Sequence, residues 1–205
     1  MANADTPFGL KPVGHVPGSP LSASVRPYYA PATYATDIFI GDPVTITGTA
    51  NTGAVTVVGG GTYEAGDLPE VNVTTVGDNN AISGVVVGVQ PVTRDSTVYG
   101  AASTERVLLV CDDPGAIFEV QADGAIAATQ IGLNAVLIAT HSGSTVTGLS
   151  GMELDTTSDA PAADASNQLT ILRQVNRVDN ERNSIHNKVL VRINNHTNVH
   201  GAIGV

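Results

Sequence analysis

Two of the five histidines, His196 and His200, stand four residues apart, which is a spacing found in metal sites. On a helix, that spacing places two imidazoles on one face, where they could bind zinc. The neighbouring residues Asn194, Asn195 and Gly201 are poor helix formers, and no third ligand is near in the sequence. We therefore predict no metal site and no cofactor.

Paired acids could perform acid/base chemistry or bind calcium, and the chain contains Asp112 beside Asp113 and Asp155 near Asp159. The first pair belongs to an Asp-Asp-Pro-Gly run, which is typical of a turn. The second lies in residues 155–167, a stretch rich in Asp, Ser and Ala without the ligand spacing of a calcium loop. We predict a turn and an exposed, mobile loop.

The glycine run 59–61 could cradle a phosphate, but no Lys-Ser/Thr pair follows it and it opens no helix. A hinge in a loop is the better interpretation. Ser142 and Ser150 are flanked by glycines, yet neither stands on a strand-to-helix elbow. Because no nucleophile, base and orienting group can be assembled, we predict that the protein is not an enzyme.

The composition favours a soluble β-rich protein. Val, Ala, Ile and Leu dominate an apolar content of 42%, there is no Trp, and 14% of residues are charged, against about 25% in typical proteins. A formal charge of −10 argues against nucleic acid as a partner. The sequence predicts no membrane helix and no signal peptide, so we expect synthesis in the cytoplasm, and Cys111 is expected to be a buried thiol.

The end of the chain is basic although the protein is acidic. Residues 1–169 contain four Lys or Arg against seventeen acids, whereas residues 170–205 contain five against two. Arg173, Arg177 and Arg192 belong to this basic segment. They could pair with the acidic body of the same chain or face an acidic neighbouring subunit, so all three are candidate interface residues.

Residues 1–37 are predicted to form an extended N-terminal arm. Six prolines in this segment disfavour both a helix and a central strand. Tyr28, Tyr29 and Tyr34 cluster within seven residues and could anchor the arm on a neighbouring surface. We name these three tyrosines as candidate interface residues, and the alternative is that the arm packs on its own domain.

From Ile38 onward, apolar residues alternate with polar ones, which indicates strands. We expect an all-β fold, a sandwich, jelly roll or small barrel, with very little helix. Strands are predicted near residues 43–47, 54–58, 70–76, 83–89, 106–111, 116–121, 137–139, 145–147, 169–178 and 188–194. The first two of these strands, and the pair 106–111 and 116–121, are predicted to form hairpins.

The predicted domains are the arm at 1–37, a β-module at 38–100 and a second β-module at 101–205 that includes the C-terminal strand pair and a tail. The boundary near residue 100 is soft, and a single domain is the alternative.

Several segments resemble the small structural proteins encoded in tailed-phage head gene clusters. They are the opening TPFGLKP (residues 6–12), DDP (112–114), FEVQADG (118–124), GMELD (151–155), and the final runs 169–181 and 188–196. The chain is thereby identified as similar to the capsid decoration, or cement, proteins of tailed bacteriophages.

This resemblance implies a β-rich module, often a homotrimer, that binds the major capsid protein on the outside of the assembled head and stabilises it against the pressure of packaged DNA. A tail-tube, head-fibre or receptor-binding protein of a phage is the alternative. A polysaccharide-processing enzyme on a β scaffold is more remote, because such sites need aromatic platforms and paired carboxylates.

Overall fold

The structure is a computed structural model that describes residues 3–16, 18 and 24–199. Its strands are β1 (Lys11–His15), β2 (Val25–Ala30), β3 (Pro43–Ala50), β4 (Val55–Thr56), β5 (Thr62–Tyr63), β6 (Pro69–Val73), β7 (Gly84–Gln90), β8 (Arg106–Cys111), β9 (Ala116–Gln121), β10 (Asn134–Ala135), β11 (Leu137–Ile138), β12 (Glu153–Leu154), β13 (Leu169–Gln174) and β14 (Lys188–Ile193). A 3-10 turn spans Ala128–Gln130. The predicted all-β class with very little helix is confirmed.

Five strands form a closed barrel in the order β2-β6-β3-β7-β8. Most neighbours are antiparallel, while β2 and β6 are parallel and meet at Tyr29 and Glu70. Closure pairs the strand edges that would otherwise be exposed to other chains. Small and β-branched side chains fill the interior, among them the fully buried Val44, Val71 and Val86.

Five other strands form an antiparallel sheet in the order β1-β9-β14-β13-β10. Strand β14 shows why the sequence pattern forms a strand here, since Val189, Val191 and Ile193 are buried while the residues between them are partly exposed. Its partner β13 pairs from Leu169 opposite Ile193. The predicted C-terminal strand pair is therefore confirmed.

The sheet and the barrel share part of their core. Phe118, the largest fully buried side chain, lies in one apolar cluster with residues of β13 and β14 and with Val85 and Cys111 of the barrel. Cys111 is a buried free thiol as predicted, and burial raises its pKa. The division into two β-modules near residue 100 stays a prediction.

The predicted N-terminal arm is not confirmed, because the described residues of 1–37 contribute one strand to the sheet and one to the barrel. Strand β1 is an edge strand, where Pro12 is tolerated, and β2 belongs to the barrel. Pro27 is tolerated within β2 because that strand pairs with β6 at a single position, Tyr29. The amide hydrogen that Pro27 lacks therefore interrupts no hydrogen-bond ladder on the β6 side. Pro17 and Pro20 lie outside the described residues.

The sequence predicted the positions of individual strands better than it predicted which strands pair. Strand β3 pairs with β6 and β7, whereas β4 pairs with β5 across the glycine run 59–61, so the predicted hairpin of 43–47 with 54–58 is wrong. Strands β8 and β9 also form no hairpin, because β8 closes the barrel and β9 lies in the sheet. Residues 145–147 are a turn rather than a strand.

Candidate functional site

One buried amide side chain binds the N-terminal segment, residues 3–10, to the end of the five-stranded sheet. Gln121 is fully buried, accepts a hydrogen bond from the Thr6 amide at 2.9 Å, and donates to the Ala4 carbonyl at 2.7 Å. It also donates to the His186 carbonyl at 3.0 Å. These bonds fix the backbone on both sides of Asp5 and bring His186 to the same place.

A second side chain fixes the segment nearer its beginning. The side-chain Nδ2 of Asn3 donates to the backbone carbonyl oxygens of Glu181 and Ile185, both at 2.9 Å. The side-chain Oδ1 of Asn3 accepts a hydrogen bond from the backbone amide of Glu181 at 2.7 Å. The loop between β13 and β14 therefore holds the N-terminal segment through hydrogen bonds between the Asn3 side chain and the loop backbone.

Asp5 consequently lies among three other ionisable side chains. Its carboxylate is 3.6 Å from His141 Nε2 and 3.8 Å from His186 Nδ1. On its other nitrogen, His141 contacts Glu153 Oε2 at 3.0 Å. We call Asp5, His141, Glu153 and His186 the acid–histidine cluster.

Glu153 is the most buried member of the acid–histidine cluster, at 1% exposure. Its Oε2 accepts a hydrogen bond from the Thr140 hydroxyl at 3.0 Å, but its Oε1 has no hydrogen-bond partner among the described residues. His186 Nδ1 is also buried without a hydrogen-bond partner there. A buried polar atom without a partner is costly, so this cluster has capacity for a further ligand.

The cluster was missed by the sequence analysis because its members come from four separate segments. No local spacing connects residues 5, 141, 153 and 186; only the folding of the N-terminal segment onto the sheet unites them. Of the histidine pair considered from sequence, His200 lies outside the described residues. His196 is buried, and burial lowers its pKa.

The Asp112–Asp113 pair forms the link between barrel and sheet. Asp113 accepts hydrogen bonds from the Gly115 amide and the Ser24 hydroxyl and contacts His15 Nε2 at 2.9 Å, which confirms the predicted turn. Burial alone would raise the pKa of Asp113, but these hydrogen bonds outweigh it and hold the pKa below its usual value. The arrangement fastens β1 and the start of β2 to the link, which is a structural role.

The segment after β12 also forms a turn, since Asp155 accepts hydrogen bonds from the amides of Thr157 and Ser158. Asp155 itself is buried, as are Pro161 and Asn167, so the predicted exposed loop is only partly exposed.

The candidate tyrosines pack within this chain. Tyr28 is buried and donates a hydrogen bond to Asp112 at 2.9 Å; burial first, and then that bond, raises the pKa of its hydroxyl to about 12. Tyr29 donates to Glu105 at 2.9 Å, and the hydroxyl of Tyr34 accepts from the Val73 amide at 3.2 Å. All three rings thus pack on the barrel of their own chain, and their role in a contact with a neighbour stays a prediction.

The candidate arginines have three different environments. Arg177 binds Glu119 and Asp179, and Lys188 also binds Asp179 at 2.8 Å. Hydrogen bonds to Asp179 and Glu119 raise the pKa of Arg177, and those from Arg177 and Lys188 hold the pKa of Asp179 below its usual range. This part of the basic segment therefore pairs with acids of its own chain.

The other two arginines lie apart from that network. Arg192 is half-buried in β14, and its Nε has no hydrogen-bond partner among the described residues. Arg173 is exposed on β13 and forms no ion pair within the described part of the chain. Arg173 is thus the candidate arginine most available to a neighbouring molecule.

An exposed apolar group lies on the loops beside the barrel. Val98, Val146 and Leu149 are 55%, 86% and 40% exposed. Gly148 joins them, since a β-carbon at Gly148 would lie only 3.1 Å from Val98 Cγ2. We call Val98, Val146 and Leu149 the apolar surface group.

A groove of about 550 Å³ extends from Leu149 toward the sheet. Its lining combines apolar and charged side chains: Thr6, Phe8, Leu10, Lys11, Pro12, Ile40, Gly41, Val86, Val87, Glu119, Leu149, Arg177 and Lys188. The N-terminal segment contributes Thr6, Phe8 and Leu10 to this lining, and the Arg177 network contributes charged side chains.

Comparison with models of known protein families, with curated proteins and with solved structures gives no match. Within residues 3–16, 18 and 24–199, no helix has the length and apolar character to cross a bilayer.

Proposed function

We propose that this chain is a structural protein of a tailed-phage virion that binds the outer surface of the assembled head as a decoration, or cement, protein. It is made in the host cytoplasm, associates as a homotrimer, and contacts the major capsid protein of the same phage. A protein that binds only the expanded lattice stabilises that state by mass action, and many weak contacts add through avidity.

The observation that carries the proposal is the meeting of the segments that resemble decoration proteins. The opening segment 6–12 binds residues 118–124 through the Thr6 amide and Gln121. Residues 118–124 also meet 151–155, since the Asp123 amide donates to the Leu154 carbonyl at 3.0 Å, and they pair with 188–196 through β9 and β14.

Segments that are distant in sequence thus form one unit around β9. Because these segments lie together, the resemblance to decoration proteins covers one structural unit, which is the five-stranded sheet with the N-terminal segment bound to it.

The surface supplies features suited to packing against other subunits. The apolar surface group exposes large side chains, and only 14% of the residues in the chain are charged. Interface cores are depleted in charge relative to the rest of a protein surface. We assign the apolar surface group to the contact with the capsid and Arg173 to a contact with an acidic subunit.

Cosedimentation with phage heads tests the proposal. The protein is mixed with expanded heads assembled from the major capsid protein of the same phage genome, with unexpanded proheads as the control. We expect saturable binding to expanded heads and a trimer by light scattering. No binding to expanded heads would overturn the assignment, and rings or fibres in electron micrographs would favour the tail-tube or fibre alternative.

A matched pair of variants locates the contact. Val146→Asp places a charge in the apolar surface group, while Val58→Asp places one on a different exposed valine, at 44% exposure. We expect the first to lose binding to heads by at least about ten-fold, since a charge without a partner at an interface core is unfavourable, and the second to bind normally.

A further inference from the structure

The acid–histidine cluster brings together metal-binding groups whose buried member is incompletely bonded. Asp5, His141 and Glu153 each offer one ligand atom, and these atoms lie within 4.8 Å of one another. Glu153 is 1% exposed, and its Oε1 lacks a hydrogen-bond partner among the described residues. Burying a carboxylate is costly unless it is paired, takes up a proton or coordinates a metal.

We propose that Asp5, His141 and Glu153 bind a divalent transition-metal cation of the Zn²⁺ type. One imidazole and two carboxylates form a mixed nitrogen and oxygen ligand set, which suits zinc and its neighbours, whereas calcium and magnesium prefer oxygen alone. The remaining positions around the ion are open to water.

The geometry allows one ion between Glu153 and His141. Zinc ligands at about 2.0–2.1 Å in a tetrahedron stand roughly 3.3 Å from one another, and Glu153 Oε2 lies 3.0 Å from His141 Nδ1. Asp5 faces the other imidazole nitrogen, with 3.6 Å between its carboxylate and His141 Nε2, so it reaches the same ion only after its side chain rotates. At 42% exposure, the Asp5 side chain has room for that rotation.

The surrounding contacts orient the ligands. Thr140 donates a hydrogen bond to Glu153 Oε2, and Gln121 fixes the backbone on both sides of Asp5. Partners of this kind usually hold metal ligands in place. Because Asp5 belongs to the N-terminal segment and Glu153 to β12, the bound ion fastens that segment to the rest of the fold.

Calorimetric titration of the full chain with ZnCl₂ at about pH 7.5, after treatment with a chelator, tests the site. We expect one ion per chain and a higher melting temperature with zinc. Asp5→Asn and His141→Ala should each weaken zinc binding at least about ten-fold. Both side chains are half-exposed, so circular dichroism of these variants should match the parent.

Cobalt provides a readout that is independent of affinity. Co²⁺ at the site should give visible absorption bands of a four- or five-coordinate nitrogen and oxygen environment, and His141→Ala should remove them. Asp95→Asn, which alters an exposed acid away from the cluster, is the control and should bind zinc as the parent does.

Two results would overturn the proposal. One is the absence of zinc binding to the parent chain, which would leave His141 as a direct link between the two carboxylates without a metal. The other is binding that Asp5→Asn and His141→Ala leave unchanged, which would place the ion on other histidines. Neither result depends on whether the chain binds phage heads.

Discussion

The guanidinium of Arg177 binds both carboxylate oxygens of Glu119, with nitrogen–oxygen distances of 3.0 and 2.8 Å. Glu119 is buried at 5% exposure in β9, and Arg177 follows β13, so the pair ties the loop after β13 to the centre of the sheet. A bidentate pair of this kind is geometrically specific. One of the residues expected to face another subunit is therefore committed within its own chain.

Removal of Arg177 should destabilise the fold. Arg177→Ala leaves Glu119 buried without its cation, and we expect a loss of about 1–3 kcal/mol, reduced from the cost for a fully buried pair because Arg177 is 46% exposed. Arg173→Ala, in β13 and without an ion pair in the described chain, should change stability by less than about 0.5 kcal/mol. Urea unfolding of the two variants measures the difference; equal losses would contradict it.

Asp42 should make stability depend on pH. Burial raises its pKa from 3.8 to about 6, against hydrogen bonds from Ser150 and the Phe39 amide that lower it. Because the folded pKa is above the unfolded value, the carboxyl favours folding below about pH 4, and this contribution is lost as the pH rises through 6. Relative to Asp42→Asn, the parent should lose about 2–3 kcal/mol between pH 4 and 7. Urea unfolding at several pH values tests this, and parallel curves would refute it.

Gly9 should tolerate no side chain. Its φ is +71°, and a β-carbon would lie 2.6 Å from the Gly41 oxygen and 2.5 Å from Ser150 Cβ. Gly9→Ala should therefore cost about 3 kcal/mol or more. Gly48→Ala, with φ +89° and open space around it, isolates the dihedral cost of about 1–2 kcal/mol. Thermal unfolding ranks the two, and a Gly9→Ala variant as stable as Gly48→Ala would show that the close contact relaxes.

Deletion of residues 1–37 should abolish cooperative folding. The deletion removes β1 from the sheet and β2 from the barrel, which leaves β6 and β8 with unpaired edges and exposes the apolar cluster beneath Tyr28. Circular dichroism and thermal melting are the measurements. A truncated chain that melts sharply with the parent spectrum would mean that these strands are dispensable.

Arg173→Glu should weaken association with phage heads through charge. If the exposed guanidinium faces an acidic subunit, the loss should be larger at about 50 mM salt than at about 500 mM, where exposed charges are screened. Head binding at the two salt concentrations measures this. A loss independent of salt would indicate altered packing instead, and no loss would remove Arg173 from the interface.

The pattern of apolar residues was sufficient to locate β7, β8, β9, β13 and β14: β14 alternates buried and partly exposed residues, whereas β7 and β8 contain consecutive buried residues. It also gave the all-β class and the buried Cys111. It failed at 145–147, where Thr-Val-Thr alternates but Val146 is 86% exposed in a turn. A three-residue alternation carries too little information to specify burial.

Local sequence therefore determined where strands form and which faces are apolar, since both follow from the residues within each strand. Only the tertiary structure decided that β8 belongs to the barrel and β9 to the sheet, with Asp112 between them. It also decided that Pro12 and Pro27 lie within strands. It also brought Asp5, His141 and Glu153 together. Pairing depends on which distant edge is available, and contacts between residues more than a hundred positions apart leave no periodic signal in a single chain.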